Sequence, residues 1–182
     1  MKKITLSLSL VFALCLFFTS EATAQKFSKM DVSPMDAASY PSDYRNAEKL
    51  IKIVYSRPQL KERSLTKLTP YGEVWRTGAN EAAELTLYTD MTLGGKAVPA
   101  GTYTFYTIPG EKEWTAIINS DLNVWGSYFY DESKDVARIT VPATMAEDSL
   151  EEFSIAFEEA TGGVDMHLGW GKTRVAVPFK KK

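Results

Sequence analysis

Trp75, Arg76, Asn80 and Glu81 fall within the single run Pro70-Tyr71-Gly72-Glu73-Val74-Trp75-Arg76-Thr77-Gly78-Ala79-Asn80-Glu81-Ala82. Together they offer a flat apolar face, a planar fork of donors, an amide and a carboxylate. That set suits a sugar, a peptide end or another small polar planar ligand. A second cluster, Asn123-Val124-Trp125-Gly126-Ser127-Tyr128-Phe129-Tyr130, is aromatic without a clear period, and Trp125 and Tyr128 are its candidate ligand contacts. Exposed aromatic loops recognise carbohydrates and partners, whereas buried ones fill the mouth of a β-structure. The first run carries the same alternative: Trp75 can plug one end of the fold while Arg76 pairs with Glu81 or Glu84 as an internal brace.

Catalysis has few other places to start. His167 is the one histidine, it lies in the alternating segment Val164–Leu168, and no G-x-S-x-G turn accompanies it, so a strand histidine satisfied by its neighbours is expected. Zinc and copper sites usually need several His or Cys ligands, so no such metal is expected. Glycoside hydrolysis needs only two carboxylates, and Glu81 with Glu84, or Asp131 with Asp135, could supply a pair. Acids at such spacing are ordinarily a solvated face. Asp121-Leu122-Asn123 and Asp131-Glu132-Ser133-Lys134-Asp135 offer oxygen ligands for calcium without EF-hand spacing, and are expected to form turns. Arg57, Lys61, Arg63 and Lys67 make a basic loop with no interleaved aromatics to stack on bases, and read as a solvated face. No catalytic residue and no cofactor is assigned.

The elements that must position these residues are strands. Leu50-Ile51-Lys52-Ile53-Val54-Tyr55 is a β-branched run closed by Arg57-Pro58. Leu85-Thr86-Leu87-Tyr88-Thr89 alternates and leads to turn chemistry at Gly94-Gly95. Thr102–Ile108 and Trp114–Ile118 flank the turn Pro109-Gly110-Glu111-Lys112 as an antiparallel hairpin. Val136–Val141, Phe153–Phe157, Val164–Leu168 and Arg174–Val177 add four short strands. About eight short strands with no sustained helical period predict an all-β fold, an antiparallel β-sandwich or jelly roll, with little helix. A helical turn is expected at most in Ser64–Leu68 or Ala79–Ala83.

The ends set the expected compartment. Lys2 and Lys3 precede an apolar run from Ile4 to Phe18, and Ala22-Thr23-Ala24 supplies the small-x-small pattern of a signal-peptidase site. Residues 1–24 are therefore expected to be a signal peptide, 25–47 an N-terminal arm and 48–182 a single β-sandwich domain. The apolar run is about 15 residues, short of the roughly 20 that cross a bilayer, so no transmembrane segment is expected. Leu14 stands where a lipoprotein would need a small residue before Cys15. Cleavage near Ala24 would remove Cys15, the one cysteine, and leave a domain held by core packing alone. It would also take Lys2, Lys3 and Glu21, leaving 19 basic and 22 acidic residues of the chain's 21 and 23, a net charge of −3. That balance gives no general drive toward nucleic acid or anionic membrane. The chain ends in Lys180-Lys181-Lys182 directly after a strand, without an evident sorting domain, so the expected destination is the periplasm, with secretion the other option.

Ser33-Pro34-Met35-Asp36 with Tyr40-Pro41, Val54-Tyr55-Ser56-Arg57-Pro58-Gln59, the Pro70–Ala82 run, Pro99-Ala100-Gly101-Thr102-Tyr103 and Glu113-Trp114 together resemble the DUF2911 family. The resemblance covers nearly all of the chain after the leader, and W-R-x-G-A-N-E-A is its most recognisable motif. It implies an exported protein of a kind common in Bacteroidota and brings no catalytic role. One departure is Lys61-Glu62-Arg63, where the family usually has a glycine before the arginine, so the local turn is where a difference is expected. The reading to be tested is a non-catalytic binding module for a small polar ligand, glycan or peptide, with Trp75, Arg76, Asn80 and Glu81 as contacts beside Trp125 and Tyr128. The alternatives are a carboxylate-dependent, glycosidase-like hydrolase and a purely structural or interaction domain of the cell envelope.

Overall fold

Ile51, Ile53 and Tyr55 alternate with less buried neighbours, and in the computed structural model of the protein, which describes residues 25–182, they point into one core from strand β2 (Ile51–Ser56). The same two-residue period aims Ala83, Leu85 and Leu87 inward from β3 (Ala83–Leu87), Met91 and Leu93 from β4 (Met91–Leu93), and Trp114, Ala116 and Ile118 from β7 (Glu113–Asn119). With β1 (Met35–Tyr40), β5 (Lys96–Val98), β6 (Gly101–Ile108), β8 (Asp135–Ala160) and β9 (Gly163–Lys181), they form one nine-stranded sheet in the order β1-β2-β3-β6-β7-β8-β9-β4-β5. Every pairing is antiparallel. The expected leader and Cys15 lie outside the described residues.

Strand β8 turns this sheet over on itself. Its first part pairs with β7, ending at Glu113↔Pro142, and its remainder pairs with β9 from Ala143↔Val175 onward. Register shifts between Met145 and Leu150 and between Leu150 and Ser154 bend it, as bulges do. The bend returns β8 to the chain leaving β2: Phe153 N donates to Pro58 O (2.9 Å), Leu60 N to Glu151 O (3.0 Å) and Ile155 N to the Tyr55 hydroxyl (2.9 Å). Both halves of the sheet thus share one core, with Phe105, Phe153, Val177 and Phe179 fully covered. The sheet does not close into a barrel, since β1 and β5 stay at its two edges.

The all-β, antiparallel expectation holds, with nine strands. Four segments expected as separate short strands are in fact two long ones, because Pro142, Glu147-Asp148-Ser149, Gly169 and Gly171 are absorbed as bends within β8 and β9. Met35–Tyr40, inside the stretch expected as an arm, pairs with β2 from Met35↔Ser56 to Tyr40↔Ile51. As a half-exposed edge strand it carries no apolar alternation. A single helical turn, α1 (Leu65–Leu68), follows Ser64, whose Oγ accepts from Lys67 N at 3.2 Å. Lys61 and Glu62 adopt φ of +48° and +61°, left-handed values that glycine takes freely. Among the described residues no helix is long and apolar enough to cross a membrane.

Candidate functional site

Trp75 extends the sheet beyond β3. It exchanges two backbone hydrogen bonds with Thr107 (2.7 and 3.0 Å), and this pairing sends its indole into the core at 7% exposure. There the ring stacks on Trp170 (5.6 Å, 16°) and meets Trp114 (6.0 Å, 87°) and Phe153 (4.9 Å, 70°) edge-on. Its Nε1 donates to Gly78 O at 3.1 Å, satisfying the one polar atom of the ring. Thr77, at φ +52°, shares a 3.1 Å hydroxyl contact with Thr107. Gly78 lies so close to β2 that a Cβ there would stand 3.2 Å from Ser56 O and 3.3 Å from Ser56 N. Trp75 is therefore placed as a brace and not on a ligand-facing surface.

Arg76 is half-buried, and its carbonyl accepts from Ala83 N at 3.0 Å. The expected pairing with Glu81 or Glu84 is absent among the described ion pairs, and its buried Nε has no hydrogen-bond partner. Asn80, at φ +62°, and Glu81 turn instead toward the second aromatic cluster. Gly126 N donates to Asn80 O (2.9 Å), Ala82 N to Val124 O (3.0 Å), and Glu81 bridges Trp125 backbone to backbone. The two clusters singled out in the sequence are thus laced together, and Asn80, Glu81, Trp125 and Tyr128 belong to one pair of loops. Trp75 leaves that group for the core.

The aromatic loop that follows β7 is tied down at its base. Thr104 Oγ1 donates to Asp121 O (2.5 Å), Asn119 Nδ2 to Asp131 O (2.9 Å) and to Asp135 Oδ1 (2.8 Å), and Lys134 pairs with Asp121 at 2.8 Å. Tyr130 packs edge-on against Tyr106 at 5.2 Å and donates to Asp135 Oδ2 at 2.6 Å, while Arg138 bonds both Asp135 and Tyr130 and reaches Glu132 at 3.2 Å. Burial pushes the Tyr106 phenol up to about 12, aided by the Asp121 and Asp135 carboxylates. Tyr130 is pushed up to about 12 by burial and by its bond to Asp135, with Arg138 opposing. Asp131 caps Ser133 N at 2.9 Å in a 3₁₀ turn (Glu132–Lys134), so this stretch forms the turn expected of it.

On that base the loop tip stands in solvent. Trp125 is 59% exposed, Tyr128 77% and Phe129 85%. Gly126, at φ +69°, lets the chain turn under the Tyr128 ring, where a Cβ would come within 2.7 Å of the ring edge. Beside the tip a cavity of about 220 Å³ is lined by Glu81, Glu84, Asn123 and Thr104, with Met35 and Val54 as its apolar part. Glu84 was expected only as a partner of Glu81 or Arg76 and Asn123 only as an oxygen ligand within a turn, and Thr104 was not singled out. Glu84 and Thr104 face each other across β3 and β6, a register that no local spacing announces. His167 lies on β9 with Nε2 3.3 Å from Glu158 Oε2, within ion-pair distance but outside hydrogen-bonding geometry. Among the described residues no group of three or more His, Cys, Asp or Glu is placed to hold a metal ion.

No curated protein and no solved structure matches the chain. A family described as "Protein of unknown function (DUF2911)" matches residues 33–179, which include β1, the brace at Trp75, the aromatic loop and nearly all of β9. The chain belongs to the DUF2911 family.

Proposed function

We propose that the protein is an exported, non-catalytic binding module in which the paired loops around Glu81 and Trp125 hold a glycan or a peptide end. The observation that carries this reading is the exposed indole of Trp125, beside a small cavity in which Glu81, Glu84 and Asn123 stand over an apolar wall, and on a loop whose base is bonded at many points. A solvated aromatic on a fixed base loses little conformational freedom when a ligand covers it. The cavity, about 220 Å³, is below the roughly 300–1,000 Å³ of sites that enclose a drug-sized molecule. It takes one ring or one side chain, and the remainder of the ligand lies along Trp125 and Tyr128. Export rests on the Lys2-Lys3 start, the apolar run and Ala22-Thr23-Ala24.

The test uses the four tryptophans, of which Trp75, Trp114 and Trp170 are buried while Trp125 is exposed. Titration with soluble glucan, chitin and peptidoglycan fragments and with short peptides should change the solvent-exposed part of the emission saturably. Trp125→Ala, which removes the reporting indole and is therefore followed by calorimetry, should lose the binding and shift stability by no more than about 0.5 kcal/mol. Undiminished affinity in Trp125→Ala would refute the site. A second reading, a carboxylate-dependent hydrolase, is favoured by one observation, that Glu81 and Glu84 line the same cavity. Release of reducing sugar by the wild type, lost in Glu81→Gln and Glu84→Gln, would establish it in place of the first.

A further inference from the structure

We propose that the cleft between α1 and the β6–β7 turn is a second binding site, for an amphipathic anion: a carboxylate or phosphate head on an apolar body. It lies at the Glu113 end of β7, and the aromatic loop leaves the Asn119 end about 20 Å away at strand rise, so the two sites are separate. The cleft has a volume of about 760 Å³, within the range of sites that accept a small organic molecule.

Its charge runs against that of the chain. Arg63, Lys112 and Lys172 line it with Glu111 as the one opposing group, a local excess of two positive charges on a protein whose formal net charge is −2. Neither Lys112 nor Lys172 takes part in an ion pair among the described residues. Arg63 is already oriented, because its Nε donates to Leu60 O and its Nη2 to Gln59 O, both at 2.8 Å. Those bonds fix the guanidinium plane and leave Nη1 for an acceptor in the cleft. The backbone beneath is pinned as well, since Lys61 N donates to Glu151 Oε1 at 2.7 Å and the left-handed pair Lys61-Glu62 turns the chain so that Arg63 reaches the cleft. Lys112 rides on a turn held by the bond from Ala143 N to its carbonyl, at 2.8 Å.

The same cleft has an apolar side. Trp114, almost wholly covered by the core, forms part of its wall with Leu65, while Tyr71 (51% exposed) and Met145 (73% exposed) stand at its mouth. One oriented guanidinium and two ammonium groups, free of ion pairs among the described residues, above an apolar wall favour a head that is charged and a body that is not. A compact inorganic anion would leave Tyr71 and Met145 wet, and a neutral lipid would leave the cations without an acceptor.

Calorimetric titration of the protein with decanoate and with decyl phosphate, below their micelle concentrations, tests the assignment, with decyl maltoside as the neutral comparator. One-to-one binding of an anion that weakens with salt, and no binding of the maltoside, is the expected result. Decanoate ahead of decyl phosphate assigns a carboxylate ligand, and the reverse a phosphate. The exposed pair Lys112→Glu with Lys172→Glu should lower affinity by about tenfold or more without moving the melting temperature. Arg63→Ala should lower it again. Trp125→Ala should leave it unchanged, so that failure of this site and failure of the loop site are told apart. Equal binding of the maltoside, no binding of either anion, or a charge-reversed variant within about twofold of the wild type would overturn the proposal.

Discussion

Two tryptophans stand on loops that are hydrogen-bonded to each other, yet one indole is in the core and the other in water. Trp75 pairs with Thr107, which continues the β6 ladder, so the alternation of the sheet decides its direction and delivers it among Trp114, Phe153 and Trp170. Trp125 bridges only Glu81, in a loop outside the sheet, where no alternation governs it and nothing closes over it. Composition around the two is similar, with Gly, Asn and small residues in both. Whether an aromatic residue packs or presents is therefore set by the register of its backbone and not by its neighbours in sequence. W-R-x-G-A-N-E-A accordingly divides its work: Trp75, Thr77 and Gly78 secure the loop against β2 and β6, while Asn80, Glu81 and Ala82 hold the aromatic loop.

Replacing the buried indole should give the largest effect. Trp75→Ala removes contacts with three aromatic rings and is expected to cost about 3–5 kcal/mol, read as a fall in the urea midpoint at unchanged slope. Set against a total stability of about 5–15 kcal/mol, that loss leaves the fold marginal. A loss below about 1 kcal/mol would break the comparison, because Trp75 would then be no more structural than Trp125. Gly78→Ala comes next. The new methyl group would press on Ser56 backbone atoms at 3.2 and 3.3 Å, and backbone does not give way as a side-chain tip does. About 1–3 kcal/mol of destabilisation is expected, seen as a drop of several degrees in melting temperature. A neutral Gly78→Ala would mean that the loop can lift off β2 freely.

Much of the strand content was legible because alternation survives in Leu85-Thr86-Leu87, and because β-branched and aromatic residues fill Thr102–Ile108 and Trp114–Ile118 on either side of a clear turn. Both glycine and proline turns between them are where the sequence puts them. The long strands were not legible, since proline, glycine and acidic clusters that normally interrupt a strand are tolerated in β8 and β9 where the sheet bends. Strand β1 escaped notice for another reason: an edge strand with one neighbour and half its residues in solvent needs no apolar face. At the site, the two clusters were visible as clusters, but their lacing through Asn80, Ala82, Val124 and Gly126 is made by backbone atoms, which side-chain types do not encode. The base of the aromatic loop was invisible in the same way, because Tyr106, Tyr130, Asp135 and Arg138 meet only through the β6–β7–β8 register.

That base yields the smallest effect and the finest test of the contrast, since Trp125 serves as a platform only if the loop beneath it is anchored. Tyr106 and Tyr130 titrate at about 12 in the folded protein against an ordinary value of 10.0. The folded state thus holds these protons more tightly than the unfolded state does. Their contribution is fully present below pH 10 and is lost as pH rises from 10 toward 12, where the unfolded phenols ionise first. Lysines also titrate in this window, so the informative quantity is the difference between wild type and Tyr106→Phe, which keeps the buried ring and removes the ionisable hydroxyl. The wild type should lose melting temperature across the window more steeply than the variant, and two phenols should ionise last in a spectrophotometric titration. Superimposable profiles would mean that the loop does not cover Tyr106 in solution, and Trp125 would then stand on a moving arm with no advantage over any other exposed aromatic.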